Sequence, residues 1–331
     1  MTTVPLPRTY EVVHRTTYRY TDPVTRSYGR TTLVPRDLPD QHRLDSAITI
    51  DPAPADSDAH IDYFGNRSTY FAVTTPHREL VVTATSTVTV SRAAATPDLL
   101  PDVSWEDAVR AVRPGGALGG ASDDDRVAAG VGLGHDPAPR PGAASLLELR
   151  EALLPSRHVA LSEEVRAWSA RTLTPGRPLS EVIAELSRRI HSELVYRPGS
   201  TTVGTTQAEV LAQGSGVCQD FAHLMIAALR VHGLPARYTS GYLETSPPPG
   251  RPKARGADAS HAWVSAWVPG AGWVEVDPTN DVFVGDRHVI LGWGRDYADV
   301  PPLRGVIFTE GSGSELDVSV DLALLGAPSA P

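Results

Sequence analysis

The sequence predicts an α+β protein, with an antiparallel, sandwich-like β domain at the N-terminus followed by a region where helices alternate with strands. Three patterns carry this. Residues 8 to about 92 hold runs with apolar residues at alternate positions and no strong helix signal. Between 162 and 233 the apolar residues fall at helical spacing behind serine caps or a glycine-rich entry. Residues 260–281 read as one β-hairpin around a Pro-Gly-Ala-Gly turn.

In the first region, RELVVTATSTVTVSR (78–92) sets Leu80, Val82, Ala84, Val88 and Val90 on one face of a strand. IDYFGNRSTYFAVT (61–74) reads as strand, turn, strand, with Gly65 and Asn66 suited to positive φ. TYEVVHRTTYRY and VTRSYGRTTLVPR supply two more strands, separated by Pro23. This β-rich domain spans 1–92. Connecting helices follow over 93–158, one of them capped by Ser104 and ending near Val112. A Gly/Pro/Asp-rich stretch at 113–144 reads as a mobile insert, and its acidic run Asp123–Asp125 lacks the ligand spacing of a calcium loop.

The second domain spans 159–331. Ser162 caps a helix through Trp168, and Ser180 caps another with Val182, Ile183, Leu186, Ile190 and Leu194 on one face. His191 lies near that helix's end, where a structural or solvent role is the default. Cys218 opens a third helix, which reads as buried and amphipathic through Phe221, Leu224, Met225, Ala228 and Leu229, stopped by Gly233 and Pro235. ARYTSGYLE (236–244) is a strand, and 246–258 an exposed Pro/Gly-rich loop.

Composition narrows the function. The apolar fraction of 41% and charged fraction of 21% are those of an ordinary globular protein. Net charge is −9 and Lys253 is the sole lysine, a balance that disfavours nucleic acid as a partner. No stretch has the apolar length of a membrane span, and MTTVPLPRTYEVVHR lacks the apolar core of a secretory signal. A cytoplasmic protein without a membrane partner is the expectation. One cysteine makes neither an internal disulfide nor a multi-cysteine zinc site, so no metal or cofactor is expected.

That cysteine is where chemistry concentrates. A thiol at a helix N-terminus, near an imidazole, is favoured as thiolate and becomes a nucleophile for carbonyl carbon. His261 starts the first hairpin strand and Asp277 ends the second, 16 residues on, so the turn near Gly270 brings them to neighbouring strands. Their alternation parity puts them on one face, where a carboxylate orients an imidazole. The order is nucleophile, base, acid. The backbone N–H of Cys218 is unpaired within its helix and suits an oxyanion. Gly214 and Gly216 clear side chains from a substrate's path. Tyr196, Gln213 and Gln219 are candidates for cleft walls or a second oxyanion donor, and Trp263 for a cleft wall. Asp220, in the first turn, favours the helix dipole whatever the function, and His223 is assigned a structural role.

GVCQDFAHLMIAALRVHGLPARYTSGYL, followed by SHAWVSAWV and GWVEVDPTND, resembles the core of the bacterial transglutaminase-like superfamily. YRYTDPVTRSYGRTTLVPRD with DYFGNR resembles that family's β-rich N-terminal domain, and HVILGWGRDYADVPPLRGVIF its C-terminal segment. The resemblance covers roughly 8–92 and 145–322. It implies a papain-related core in which a helix carrying the cysteine packs on an antiparallel sheet. It also implies a triad of Cys218, His261 and Asp277. The chemistry implied is attack on an amide or peptide carbonyl through a thioester acyl-enzyme. Water would resolve it in a peptidase or amidase, an amine in an acyltransferase. A protein or peptide is the expected substrate. The competing reading is a non-catalytic module that binds a peptide in the same cleft. A mixed zinc site on Cys218, His261 and Asp277 explains less than a nucleophile does.

Overall fold

In a computed structural model the protein is described over residues 6–113, 144–245 and 259–325. Most of the 113–144 stretch, Asp123–Asp125 and the loop 246–258 lie outside these residues. The chain divides into two compact units. One gathers Met1–Ala94, Thr239–Ala262 and Val284–Pro331; the other gathers Ala95–Tyr238 and Trp263–Phe283. The class is α+β, and among the described residues no helix is long and apolar enough to cross a membrane.

The first unit is built on β1 (Arg8–Thr31), a strand of 24 residues. Around it lie β2 (Gln41–Asp51), β3 (Asp56–Ile61), β4 (Arg67–Val73) and β5 (His77–Val90). The first half of β1 pairs with β5 along one edge, and the second half with β4. The sequence suggests two strands split by Pro23; the chain instead runs straight through. Proline is tolerated there because pairing with β5 breaks between Arg19 and Val24, so the missing N–H costs no ladder bond. Of the turn pair, Gly65 alone takes positive φ. Asn66 is buried, and its Oδ1 accepts from Arg36 Nη1 (2.6 Å) and the Trp293 N–H (3.0 Å).

The C-terminal segment belongs to this unit. It contributes β12 (His288–Gly294), β13 (Leu303–Thr309) and β14 (Ser314–Leu325). Strands β13 and β14 run antiparallel to β1 along the edge opposite β4 and β5, completing a curled sheet of seven strands. Alternate residues of these strands, Tyr10, Val12, Val82, Val88, Val320 and Leu322 among them, fill one core.

The second unit holds six described helices: α1 (Trp105–Val112), α2 (Leu146–Glu151), α3 (Glu163–Ala170), α4 (Leu179–Glu193), α5 (Gln207–Gln213) and α6 (Cys218–Arg230). Ser104, Ser145 and Ser162 cap the first three by accepting an N–H at the third helical position. Helix α4 starts ahead of Ser180. Its first N–H, on Leu179, is taken by the Val103 carbonyl (2.8 Å), so Pro178 is the N-cap and Ser180 is buried in the first turn. The expected apolar face is buried: Val182, Ile183, Leu186 and Ile190 have no exposed surface.

Helix α6 is buried as expected, and beyond its apolar stripe. Every residue from Asp220 to Arg230 is buried. Its polar members are satisfied locally. Arg230 donates through Nε and Nη2 to the Ala236 carbonyl and through Nη1 to that of Leu154, while His223 packs between the rings of His158 and Tyr238.

Strands β6 (Val195–Tyr196) and β7 (Ser215–Gly216) form a parallel pair. Further strands are β8 (Ala236–Leu243), β9 (Ala259–Val268), β10 (Gly272–Asp277) and β11 (Val282–Phe283), with β10 paired antiparallel to both β9 and β11. The expected hairpin is β9–β10, antiparallel from Gly272–Val268 to Val276–Val264, with Gly270 and Gly272 at positive φ in its turn.

Candidate active site

Cys218 is the first residue of α6 and is partly exposed. The path into it explains both preceding glycines. Helix α5 opens on a capping box: Thr206 Oγ1 accepts from the Glu209 N–H and Glu209 Oε2 from the Thr206 N–H. It closes at Gly214, which is left-handed (φ 66°). Gly216 allows a close approach, because a Cβ there would lie 2.9 Å from Asp220 Cβ and 3.0 Å from its Oδ2. These glycines therefore have structural duties as well.

The N-cap is Val217, which has no side-chain acceptor. Asp220 compensates from inside the helix: its Oδ2 accepts from the Val217 N–H (2.8 Å) and from Thr201 Oγ1 (2.6 Å), and the residue is 3% exposed. Asp220 thus fixes the backbone one residue before the thiol and ties it to the 197–206 loop. This is more than the dipole contribution read from sequence, and the signal for it is an acid three residues after a non-polar cap. The N–H groups of the first helical turn, that of Cys218 included, have no intrahelical acceptor.

Tyr196 stands beside this turn. It pairs across the parallel ladder with Gly216, rests edge-on against Phe221 at 6.4 Å, and is half exposed. Burial, and after it the electrostatic influence of Cys218, pushes its phenol above the ordinary value. Gln219 is partly buried next to the cysteine. Gln213 is exposed and folds back on its own chain, Nε2 donating to the Ser215 carbonyl (2.8 Å). Trp263 has no exposed surface; its indole N–H donates to Glu275 Oε2 (3.2 Å), which holds it inside the sheet.

His261 lies on β9, three residues before the last β9–β10 pair, and is 8% exposed. Its ring centroid is 6.5 Å from that of His288. Asp277 closes β10 one residue beyond the same pair and is fully buried. Its Oδ1 accepts from the N–H groups of Thr279 (2.9 Å) and Asn280 (3.3 Å), and its Oδ2 from Asn280 Nδ2 (2.6 Å). His191 is exposed on α4, and its Nδ1–H donates to the Thr279 carbonyl (2.8 Å). Of the structural and solvent roles open to it, this tie to the turn that carries Asp277 is a structural one.

Residues 10–89 match the bacterial transglutaminase-like N-terminal region, and residues 166–278 match the transglutaminase-like superfamily. An uncharacterized protein of Mycobacterium tuberculosis is 44% identical over 322 residues, 95% of this chain and 92% of its own length. The chain belongs to the transglutaminase-like superfamily. That superfamily typically uses a Cys–His–Asp triad, and Cys218, His261 and Asp277 all fall within the matched core segment. An uncharacterized protein of Mycobacterium leprae is 34% identical, over 95% of this chain and 98% of its own. A protein-glutamine gamma-glutamyltransferase of Pseudomonas aeruginosa is 33% identical over 156 residues, which are 44% of this chain and 22% of that one. Among solved structures, a Cytophaga hutchinsonii chain provisionally described as a cysteine protease superposes with a TM-score of 0.70 at 19% identity. The overlap covers 98% of this chain and 93% of that one, so the two chains share a fold.

Proposed function

We propose that this protein is a cysteine-dependent enzyme acting on an amide or peptide carbonyl. Cys218 Sγ attacks the carbonyl carbon; His261 takes the thiol proton and returns it to the leaving amine; Asp277 holds the imidazole in the competent tautomer. The thioester that forms is then cleaved by water, releasing an acid, or by a second amine, giving a new amide. The placement of Cys218 carries this reading. It is a partly exposed thiol at the start of a 13-residue helix whose cap residue offers its first turn no side-chain acceptor. The Cys218 N–H is the first oxyanion donor in this scheme, and Tyr196 forms the adjacent wall.

Alkylation by iodoacetamide tests the nucleophile. Fast labelling of Cys218 at neutral pH, slowed in His261→Ala, is the expected result. An ordinary thiol rate indifferent to His261 would sink the mechanism. A peptide substrate with a labelled amine acceptor then separates hydrolysis from transfer.

A further inference from the structure

We infer that Asn280 and His191 are positioning residues for the Asp277 carboxylate, an inference that rests on the triad proposed above. A carboxylate without exposed surface is costly unless its lone pairs are filled, and those that fill them fix its direction. Three donors come from its own turn: the N–H groups of Thr279 and Asn280 on Oδ1 and the Asn280 amide on Oδ2. The 2.6 Å bond from Asn280 Nδ2 is the shortest of the three and comes from a side chain, so Asn280 helps fix the rotation of the carboxylate plane.

The turn itself is held against its local preferences. Asp281, its last residue, is a non-glycine at φ 52°, and the Thr279 hydroxyl is buried without a hydrogen-bond partner. Left-handed backbone and an unpaired buried hydroxyl are both unfavourable and persist only where the surroundings over-determine the geometry. The His191 imidazole supplies such a constraint. It reaches from the last turn of α4 to the Thr279 carbonyl, one peptide away from the N–H that Asp277 accepts. The carboxylate is thereby referenced to a packed helix as well as to its own strand.

The test uses the full-length chain and iodoacetamide labelling of Cys218 as a function of pH, in wild type, His191→Ala, His191→Gln, Asn280→Ala and His261→Ala. A misdirected carboxylate stabilises the imidazolium less, so the thiolate–imidazolium pair is lost first on the acid side. His191→Ala and Asn280→Ala should label about tenfold more slowly than wild type near pH ~6 and within about twofold of it near pH ~9, where the free thiolate forms unaided. His191→Gln keeps an N–H donor and should recover most of the rate. His191 is exposed, so its variants stay folded and carry the test if Asn280→Ala does not. Profiles superimposing on wild type, or a loss equal at every pH, would overturn the positioning role. If His261→Ala also superimposes on wild type, the triad itself is wrong; if it differs while the His191 and Asn280 variants do not, only this inference fails.

Discussion

Single side chains decide whether the nucleophile's turn and the first unit's core hold their shape. Gly216→Ala would push a methyl group into Asp220, breaking the bonds from Val217 and Thr201. We expect a loss of about 1–3 kcal/mol in urea denaturation together with altered Cys218 labelling. Tyr196→Phe keeps the packing on Phe221 and removes only the hydroxyl. If that hydroxyl assists the oxyanion, acylation by p-nitrophenyl acetate slows about tenfold or more while alkylation, which forms no oxyanion, is unchanged. His14, 1% exposed, shares its ring nitrogens with Thr16 Oγ1 and the Tyr242 hydroxyl, and burial lowers its pKa to about 4. The unfolded chain therefore binds a proton at His14 between about pH 6.5 and 4 when the folded one does not. Stability should be full above that window and fall as pH drops through it, by up to about 3 kcal/mol from this residue. Calorimetry across that range should show a flatter dependence in His14→Gln.

Elements were legible in the sequence where local signals and tertiary environment agree. The β9–β10 hairpin, the caps at Ser104 and Ser162, and the start of α6 at Cys218 stand where periodicity and capping put them. Two elements were read incompletely. Strand β1 passes Pro23 because a register break removes the need for its N–H, and a break in pairing leaves no mark on one strand's own sequence. Helix α6 is buried on every side because neighbours cover its polar face, with Arg230 bonded to the Ala236 and Leu154 carbonyls. The β1–β4 pair offers a test of element packing. Gly29 sits opposite Phe71, whose ring occupies the space a Cβ at Gly29 would need. Gly29→Ala should displace the ring and lower the thermal midpoint, at about 1–3 kcal/mol for such overpacking.

At the scale of the whole molecule, the first unit is closed by strands nearly three hundred residues apart in sequence. Tyr10 pairs with Leu324 on one side and Val88 on the other, so the C-terminal strands complete what the N-terminal strands begin. A chain ending after Val300 would lose β13 and β14 together with the core residues Val320 and Leu322, baring one edge of β1 over its whole length. That truncation should be recovered as aggregate by size-exclusion chromatography. The same chain as a soluble monomer with an intact sheet would show that the closure is dispensable.

By itself the sequence determined the class, the strand and helix periods, and a cysteine, histidine and aspartate in triad order, because these depend on spacing along one segment. The tertiary structure decided what depends on distant partners. It returned 303–325 to β1, since an exposed strand edge is satisfied by any strand of matching pattern however far along the chain. It gave Gly214 a left-handed backbone, set Gly216 against the Asp220 side chain and wrapped Trp263 inside the sheet. It also gave Asp220, Asn280 and His191 their contacts, because a buried carboxylate takes its donors from whatever the fold brings within reach.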